Sequence, residues 1–198
     1  MIVLRNGYTD VPHGKIAAVV TYLEMTEAPP RRAEPAGHGF TVERVRRPSL
    51  DWYRDLYRRI GEHWLWFSRL RMADDKLAAI LGDPRVEIYA LRAGDQDEGL
   101  LELHFSATEC NLAFFGVAPA LVGSGAGRVL MNKAVSEAWS QPIRRFTVNT
   151  CTLDHPNALA FYIRSGFRPY RRKVELADDP RLDGTLPRDA APQVPILE

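Results

Sequence analysis

Apolar and polar positions along the chain alternate with two distinct periods, and the period predicts the element. Lys15–Met25 (Lys-Ile-Ala-Ala-Val-Val-Thr-Tyr-Leu-Glu-Met) is rich in β-branched residues, is bounded by Pro12-His13-Gly14, and reads as a strand. Residues 28–39 carry three prolines and two glycines and read as a loop or linker. Alternation over 40–45 predicts a short half-buried strand. Pro48-Ser49 opens a helix whose apolar face is Leu50, Tyr53, Leu56, Tyr57 and Ile60, with Gly61 as its stop. Residues 74–81 read as a second helix, stopped by Gly82-Asp83-Pro84. Strands follow over 86–93 and 100–106, joined by the turn 94–99, and then over 109–117. A helix runs from 125 to about 139, with Ala126, Leu130, Ala134 and Ala138 on one face. A strand over 146–152, a helix over 156–165 and a strand over 167–176 complete the series. Residues 178–198 hold four prolines and read as an extension.

Short turns join the strands ahead of the glycine-rich helix, so those strands should be antiparallel. The strand after that helix is reached by a helical crossover and should run parallel to its predecessor. The expectation is a mixed α/β sheet with flanking helices. It divides the chain into an extension over 1–39, a domain over 40–176 and a second extension over 177–198. No internal repeat is present.

The chain has 198 residues, enough for one domain with a proper core. The formal net charge of +1 gives no global field for nucleic acid or a membrane surface, and no basic-aromatic footprint adds one. No apolar run approaches the roughly 18 residues of a spanning helix, and no signal-peptide pattern opens the chain. A cytoplasmic protein without nucleic-acid or membrane partners is expected. Two cysteines, Cys110 and Cys151, make neither a disulfide framework nor a metal cluster, so no metal is expected.

The chemistry gathers around Phe114-Phe115-Gly116-Val117-Ala118-Pro119 and the turn and helix that follow. Strand, glycine turn and helix N-terminus together make an anion site, because first-turn N–H groups lack internal partners and the helix dipole favours negative charge there. Gly123, Gly125 and Gly127 let a phosphate approach the backbone. The nucleotide triphosphatase loop needs Lys-Ser/Thr after its last glycine, where this chain has Arg128-Val129. The dinucleotide fingerprint needs Gly-x-Gly-x-x-Gly, and this chain has Gly-x-Gly-x-Gly.

Val122-Gly123-Ser124-Gly125-Ala126-Gly127 resembles the pyrophosphate loop of the GCN5-related N-acetyltransferases, Gln/Arg-x-x-Gly-x-Gly/Ala, at both small positions. It departs at the first, where Val122 replaces Gln or Arg. A second stretch, His155-Pro156-Asn157-Ala158 through Tyr162 to Gly166-Phe167, resembles the family's Asn-x-x-Ala-x-x-x-Tyr-x-x-x-Gly-Phe, with His155 in the asparagine's place. The resemblance covers about 40–176. It implies the acetyltransferase fold, a mostly antiparallel sheet with a splayed parallel pair and flanking helices. It also implies acetyl-coenzyme A as co-substrate and direct transfer to a primary amine of a small molecule or peptide, by a monomer or homodimer.

On the same resemblance, Phe115, Val117, Val122, Gly123, Ser124, Gly125, Ala126, Gly127, Arg128, His155 and Tyr162 hold the coenzyme. A backbone N–H near Val117 faces the thioester oxygen, and Tyr162 protonates the leaving thiolate. Glu102 is the expected base, acting through water; as a residue it reads equally well as a solvent-facing glutamate on an alternating strand. Glu109 and His155 are weaker candidates, and His155 also reads as a helix cap. Trp64, Trp66 and Arg69, with Phe67, would build the acceptor pocket; core packing is the other reading of the aromatics. Two readings compete with catalysis: a catalytically silent acetyl-coenzyme A sensor, and a nucleotide-binding module.

Overall fold

The computed structural model describes residues 6–198 of the chain. Seven strands form one sheet: β1 Lys15–Met25, β2 Phe40–Arg44, β3 Val86–Ala93, β4 Gln96–Phe105, β5 Glu109–Val117, β6 Arg145–Cys151 and β7 Arg168–Asp178. Five helices accompany them: α1 Leu50–Gly61, α2 Ser68–Arg71, α3 Asp74–Gly82, α4 Ala126–Trp139 and α5 Ala158–Arg164. The strand order is β2-β3-β4-β5-β6-β1-β7. Strands β2 to β5 pair antiparallel, and β5 and β6 pair parallel, as the connection lengths require.

Each face of the sheet is covered by amphipathic helices. Ala126, Leu130, Ala134 and Ala138 of α4 are all fully buried against Leu91, Leu101, Leu112 and Phe146, so the four-residue spacing does mark the packed face. On the other face α1 buries Tyr53, Leu56, Tyr57 and Ile60 against Ile88, Leu100 and α3. Ser49 caps α1, its hydroxyl accepting from the Trp52 N–H at 3.2 Å.

Gly61 does more than stop α1. A Cβ at that position would lie 2.4 Å from Trp66, so the glycine makes room for the indole to fold back under the helix. The hairpin joining β3 and β4 is also tighter than the turn over 94–99 suggests. Ala93 pairs with Gln96 across a two-residue turn, and β4 continues past Gly99, with Glu98 as the extra residue of a bulge. A Cβ on Gly99 would meet the Leu91 Cβ at 2.8 Å, so this glycine serves strand packing rather than a turn. The four-residue helix α2, within 62–72, has no sequence expectation to match it.

The two segments read as extensions belong to the packed fold. Of residues 1–39, residues 1–5 lie outside the described residues. Strand β1 lies inside the sheet, antiparallel to both β6 and β7. Its Leu23 and Met25 join the core beneath α4, so the strand supplies interior surface that 40–176 alone would leave open. At the other end, Leu186, Ala190 and Ala191 pack on Ile16 and Leu65. Arg181 is buried there, paired to Asp179 at 2.6 Å and donating to the carbonyls of Ala190 and Val194. A buried cation with its acceptors satisfied fixes this turn-rich segment in place.

Candidate active site

The parallel pairing of β5 with β6 stops at Leu112 and Val148, although β5 continues to Val117 and β6 to Cys151. A bulge lies at the same point. Glu102 pairs with Phe114 and Leu103 with Leu112, which leaves Ala113 as the extra residue. Beyond it the two strands separate, and a cavity of about 710 Å³ fills the split. That is the size of a small-molecule site.

The free edge of β5 is polar. The Ala118 N–H donates to Glu98 on β4 at 2.7 Å. Strand alternation therefore aims the N–H groups of Phe115 and Val117 the other way, into the split. Phe115 and Val117 both line the cavity.

The glycine turn closes one end. Gly123 and Gly125 sit at φ values of 86° and 92°, a backbone region that favours glycine. Gly125 directly precedes α4. Among the described residues the N–H groups of Gly123, Gly125 and Gly127 have no hydrogen-bond partner. All three residues line the cavity, as do Val122 and Arg128. Ser124 is exposed and does not line the cavity, its hydroxyl donating to Leu121 O at 2.7 Å and accepting from the Ala126 N–H at 3.3 Å. Ala126 is fully buried in the core. Three free N–H groups at the positive end of a helix suit a phosphate or pyrophosphate.

Tyr162, on α5, stands in the cavity wall among Phe115, Phe161 and Phe167. Burial pushes its phenol far above the ordinary value, and the charge of Asp154 adds to the shift. The hydroxyl therefore stays protonated, and among the described residues nothing hydrogen-bonds it.

Asp154 ties the two sides of the cavity together. One oxygen accepts from the Thr150 hydroxyl at 2.7 Å and the Cys151 N–H at 2.8 Å; the other accepts from Trp66 Nε1 at 3.3 Å. Trp64 packs edge-on against His155, ring centroids 5.2 Å apart, and both line the cavity with Trp66 and Phe67. His155 Nδ1 accepts from the Asn157 N–H at 3.1 Å. A neutral ring so bound carries its proton on Nε2 and offers a donor.

Glu102 and Arg69 lie apart from this wall. The Glu102 carboxylate is fully buried and accepts from Arg69 at 2.5 Å, meets His104 Nε2 at 2.5 Å, and accepts the Tyr53 hydroxyl. Its place on β4 turns it toward α1 rather than toward solvent or the split, so the solvent-facing reading of this residue is corrected. Burial pushes its pKa up, but His104, Arg69 and Tyr53 together outweigh that and hold it below the ordinary carboxyl range. Arg69 is buried with it and stacks 4.9 Å from the Phe114 ring centroid, so its charge is spent inside the protein. Glu109 lies at the closed end of the parallel pair, opposite Arg145, which it meets at 3.4 Å. The thiols of Cys110 and Cys151 are pushed up by burial, to about 12 and about 11, so both remain protonated.

Four charged cavity residues have no counterpart among the sequence candidates: Asp154, Arg164 on α5, Glu175 on β7, and Arg32 from the segment between β1 and β2. Asp154 falls directly before the second motif, where a carboxylate ahead of a helix also suits an ordinary helix start. Glu175 and Arg32 come to the site through the placement of β1 and β7, and nothing local marks them.

A sheet parted over a bulge, with a glycine turn at a helix N-terminus on one side of the cavity and a buried tyrosine in its wall, defines a split-sheet α/β fold with one deep site. The sequence model of the acetyltransferase (GNAT) family matches residues 50–167, and the chain belongs to that family. No curated protein matches the chain. Among solved structures, a GCN5-related N-acetyltransferase from Sphaerobacter thermophilus is similar at a TM-score of 0.61 and 16% identity, over 82% of this chain and 52% of that one. The chain thus spans about half of that protein. An aminoglycoside acetyltransferase from an uncultured soil sample is similar at 0.55 and 16%, over 67% and 90%. An IAA acetyltransferase from Bacillus cereus is similar at 0.52 and 21%, over 67% and 79%. At these identities the likeness is one of fold.

Proposed function

We propose that this protein transfers an acetyl group from acetyl-coenzyme A directly to a primary amine. One observation carries the reading: three unpartnered glycine N–H groups, the free edge of β5 and the unpartnered Tyr162 hydroxyl all open onto a single cavity. The residues suit the coenzyme in sequence along that cavity. The N–H groups of Gly123, Gly125 and Gly127 would hold the pyrophosphate. The exposed edge of β5 would pair with the amide-bearing arm as a further strand does. The Val117 N–H would face the thioester oxygen and hold the charge that develops there. Bound there, the coenzyme supplies an activated acetyl group.

The amine attacks the acetyl carbon, the carbon–sulfur bond breaks, and sulfur leaves as a thiolate. Tyr162 supplies the proton, because its hydroxyl is protonated at neutral pH and has no internal partner. Trp64, Trp66 and Phe67 form an apolar wall on the α1 side, where the acceptor would lie. Asp154 and Glu175 give the cavity carboxylates to which an amine can donate, while Arg32, Arg128 and Arg164 supply its positive charge. Arg69 is not available to bind an acceptor carboxylate, and Glu102 positions Arg69 and Tyr53 rather than meeting the substrate. The ammonium loses one proton to solvent before it attacks and a second as the adduct collapses, and solvent returns one proton to the Tyr162 phenolate, which restores the site.

The aminoglycoside acetyltransferase named above gives a first amine to try. The decisive experiment follows thiol release from acetyl-coenzyme A against a panel of amines, beside a thermal-shift comparison of coenzyme A with NAD and ATP. Turnover with any amine supports the reading. Stabilisation by coenzyme A without turnover across the panel would leave a silent sensor, and stabilisation by NAD or ATP alone would overturn the coenzyme assignment.

A further inference from the structure

The loop position at which Val122 stands has no cation and no hydrogen-bonding side chain, and Val122 is half exposed. The chain brings one from elsewhere. The segment between β1 and β2 folds back across the glycine turn. Pro35 seats on Gly125 so closely that a Cβ on the glycine would lie 2.2 Å from the proline Cγ. Two residues of α4 hold this segment down: Asn132 Nδ2 donates to Arg32 O at 2.8 Å, and Arg128 donates to Ala33 O at 3.1 Å. Glu34 completes the anchor by accepting from Asn132 at 2.8 Å and from Arg31 at 2.9 Å. The arginines therefore divide their tasks. Arg31 is paired with Glu34, and Arg128 is partly used on the backbone. The Arg32 guanidinium has no partner among the described residues, and Arg32 lines the same cavity as Gly123 and Gly125.

We infer that Arg32 binds the coenzyme pyrophosphate, supplying from the β1–β2 segment the cation absent at Val122. The inference rests on the coenzyme reading above and extends it to a residue outside the family motif. Its logic is local. Three backbone N–H groups can direct themselves at a pyrophosphate but leave a doubly charged group short of a full positive charge. An arginine fork adds that charge together with two parallel donors. The Asn132 and Arg128 bonds fix the backbone carbonyls of the arginine and of the residue after it before ligand arrives, so less freedom is lost on binding.

The test is calorimetry of coenzyme A and of dephospho-coenzyme A, which keeps the pyrophosphate and lacks the 3′-phosphate. It uses the full chain and the variants Arg32→Gln, Arg32→Lys and Arg31→Gln. Arg32→Gln is expected to weaken both ligands by about tenfold or more, and by the same factor, as loss of a charge-assisted bond implies. Its affinity should also depend less steeply on salt than the parent's. Arg32→Lys should recover part of the loss, and Arg31→Gln should bind as the parent does. A loss seen with coenzyme A alone would move Arg32 to the 3′-phosphate and overturn the assignment. An unchanged Arg32→Gln would overturn it as well, and so would a loss with the parent's salt dependence, which marks a structural role. If the parent binds neither ligand, the coenzyme reading falls first and this assignment with it.

Discussion

At the scale of single residues, the chemistry depends on where a few groups are left without partners. Tyr162→Phe keeps the ring between Phe115 and Phe167 and removes only the hydroxyl. That interaction strengthens as the carbon–sulfur bond breaks, so kcat should fall more than donor KM rises, by about 10²-fold. A single-turnover rate within about twofold of the parent would assign the proton to another group. Gly125→Val places a branched side chain where Pro35 already sits, at a φ of 92°. Coenzyme affinity by calorimetry is expected to fall steeply in a folded protein, and unchanged affinity would take the turn out of the site. Glu102 carries the pH prediction. Its folded pKa lies below the ordinary 4.5, so its stabilising contribution is complete above that value and is lost as pH falls through the lower, folded one. Melting temperature should therefore drop on acidification below about pH 4.5 more in the parent than in Glu102→Gln. Both tyrosine and glycines were legible in sequence because each belongs to a contiguous motif. Glu102 drew attention for its apolar neighbours, but its three partners arrive from α1, α2 and β4 itself, which strand alternation does not reveal. Arg32 and Glu175 were silent for the same reason: their meaning lies in contacts between distant segments.

At the scale of elements, amphipathic periodicity identified both long helices and the antiparallel run of strands, since burial on one face is a property of the local pattern. Glycine was the less readable signal. The sequence reading made Gly61 a helix stop and Gly99 the end of a turn, yet each is small because a neighbour occupies the space its side chain would need. Helix α2 escaped notice because four residues show no period. The space below Gly61 yields a sharp test. Gly61→Ala improves intrinsic helix propensity, by about 1 kcal/mol relative to glycine. It also drives a methyl into Trp66, and overpacking of this kind costs about 1–3 kcal/mol. A net loss of stability in chemical denaturation is expected, with loosened Trp66 fluorescence as its signature. A stabilised Gly61→Ala would mean that the indole moves aside without cost.

At the scale of the whole molecule, the site is assembled across the sheet rather than carried by the matched 50–167 alone. Strand β1 supplies Ile16, Ala18 and Val20 to the cavity, and the segment after it supplies Arg32. A fragment of residues 40–198 would expose the edges of both β6 and β7 and lose Leu23 and Met25 from the core. It should show no cooperative thermal transition, whereas a cooperative melt near the parent's would make the first 39 residues dispensable. The family resemblance made the sheet legible as a class, but it gave no hint that its sixth position would be filled by the first strand of the chain. That position has a consequence during synthesis. Tyr22 pairs with Asn149 on one side and Arg171 on the other, so β1 leaves the ribosome long before either of its partner strands. Contacts of such long range close slowly. Until they close, Ile16, Val20 and Leu23 remain uncovered on an unpaired strand, a species that other chains can capture. Folding yield in vitro should therefore fall with protein concentration and rise when refolding is slow and dilute.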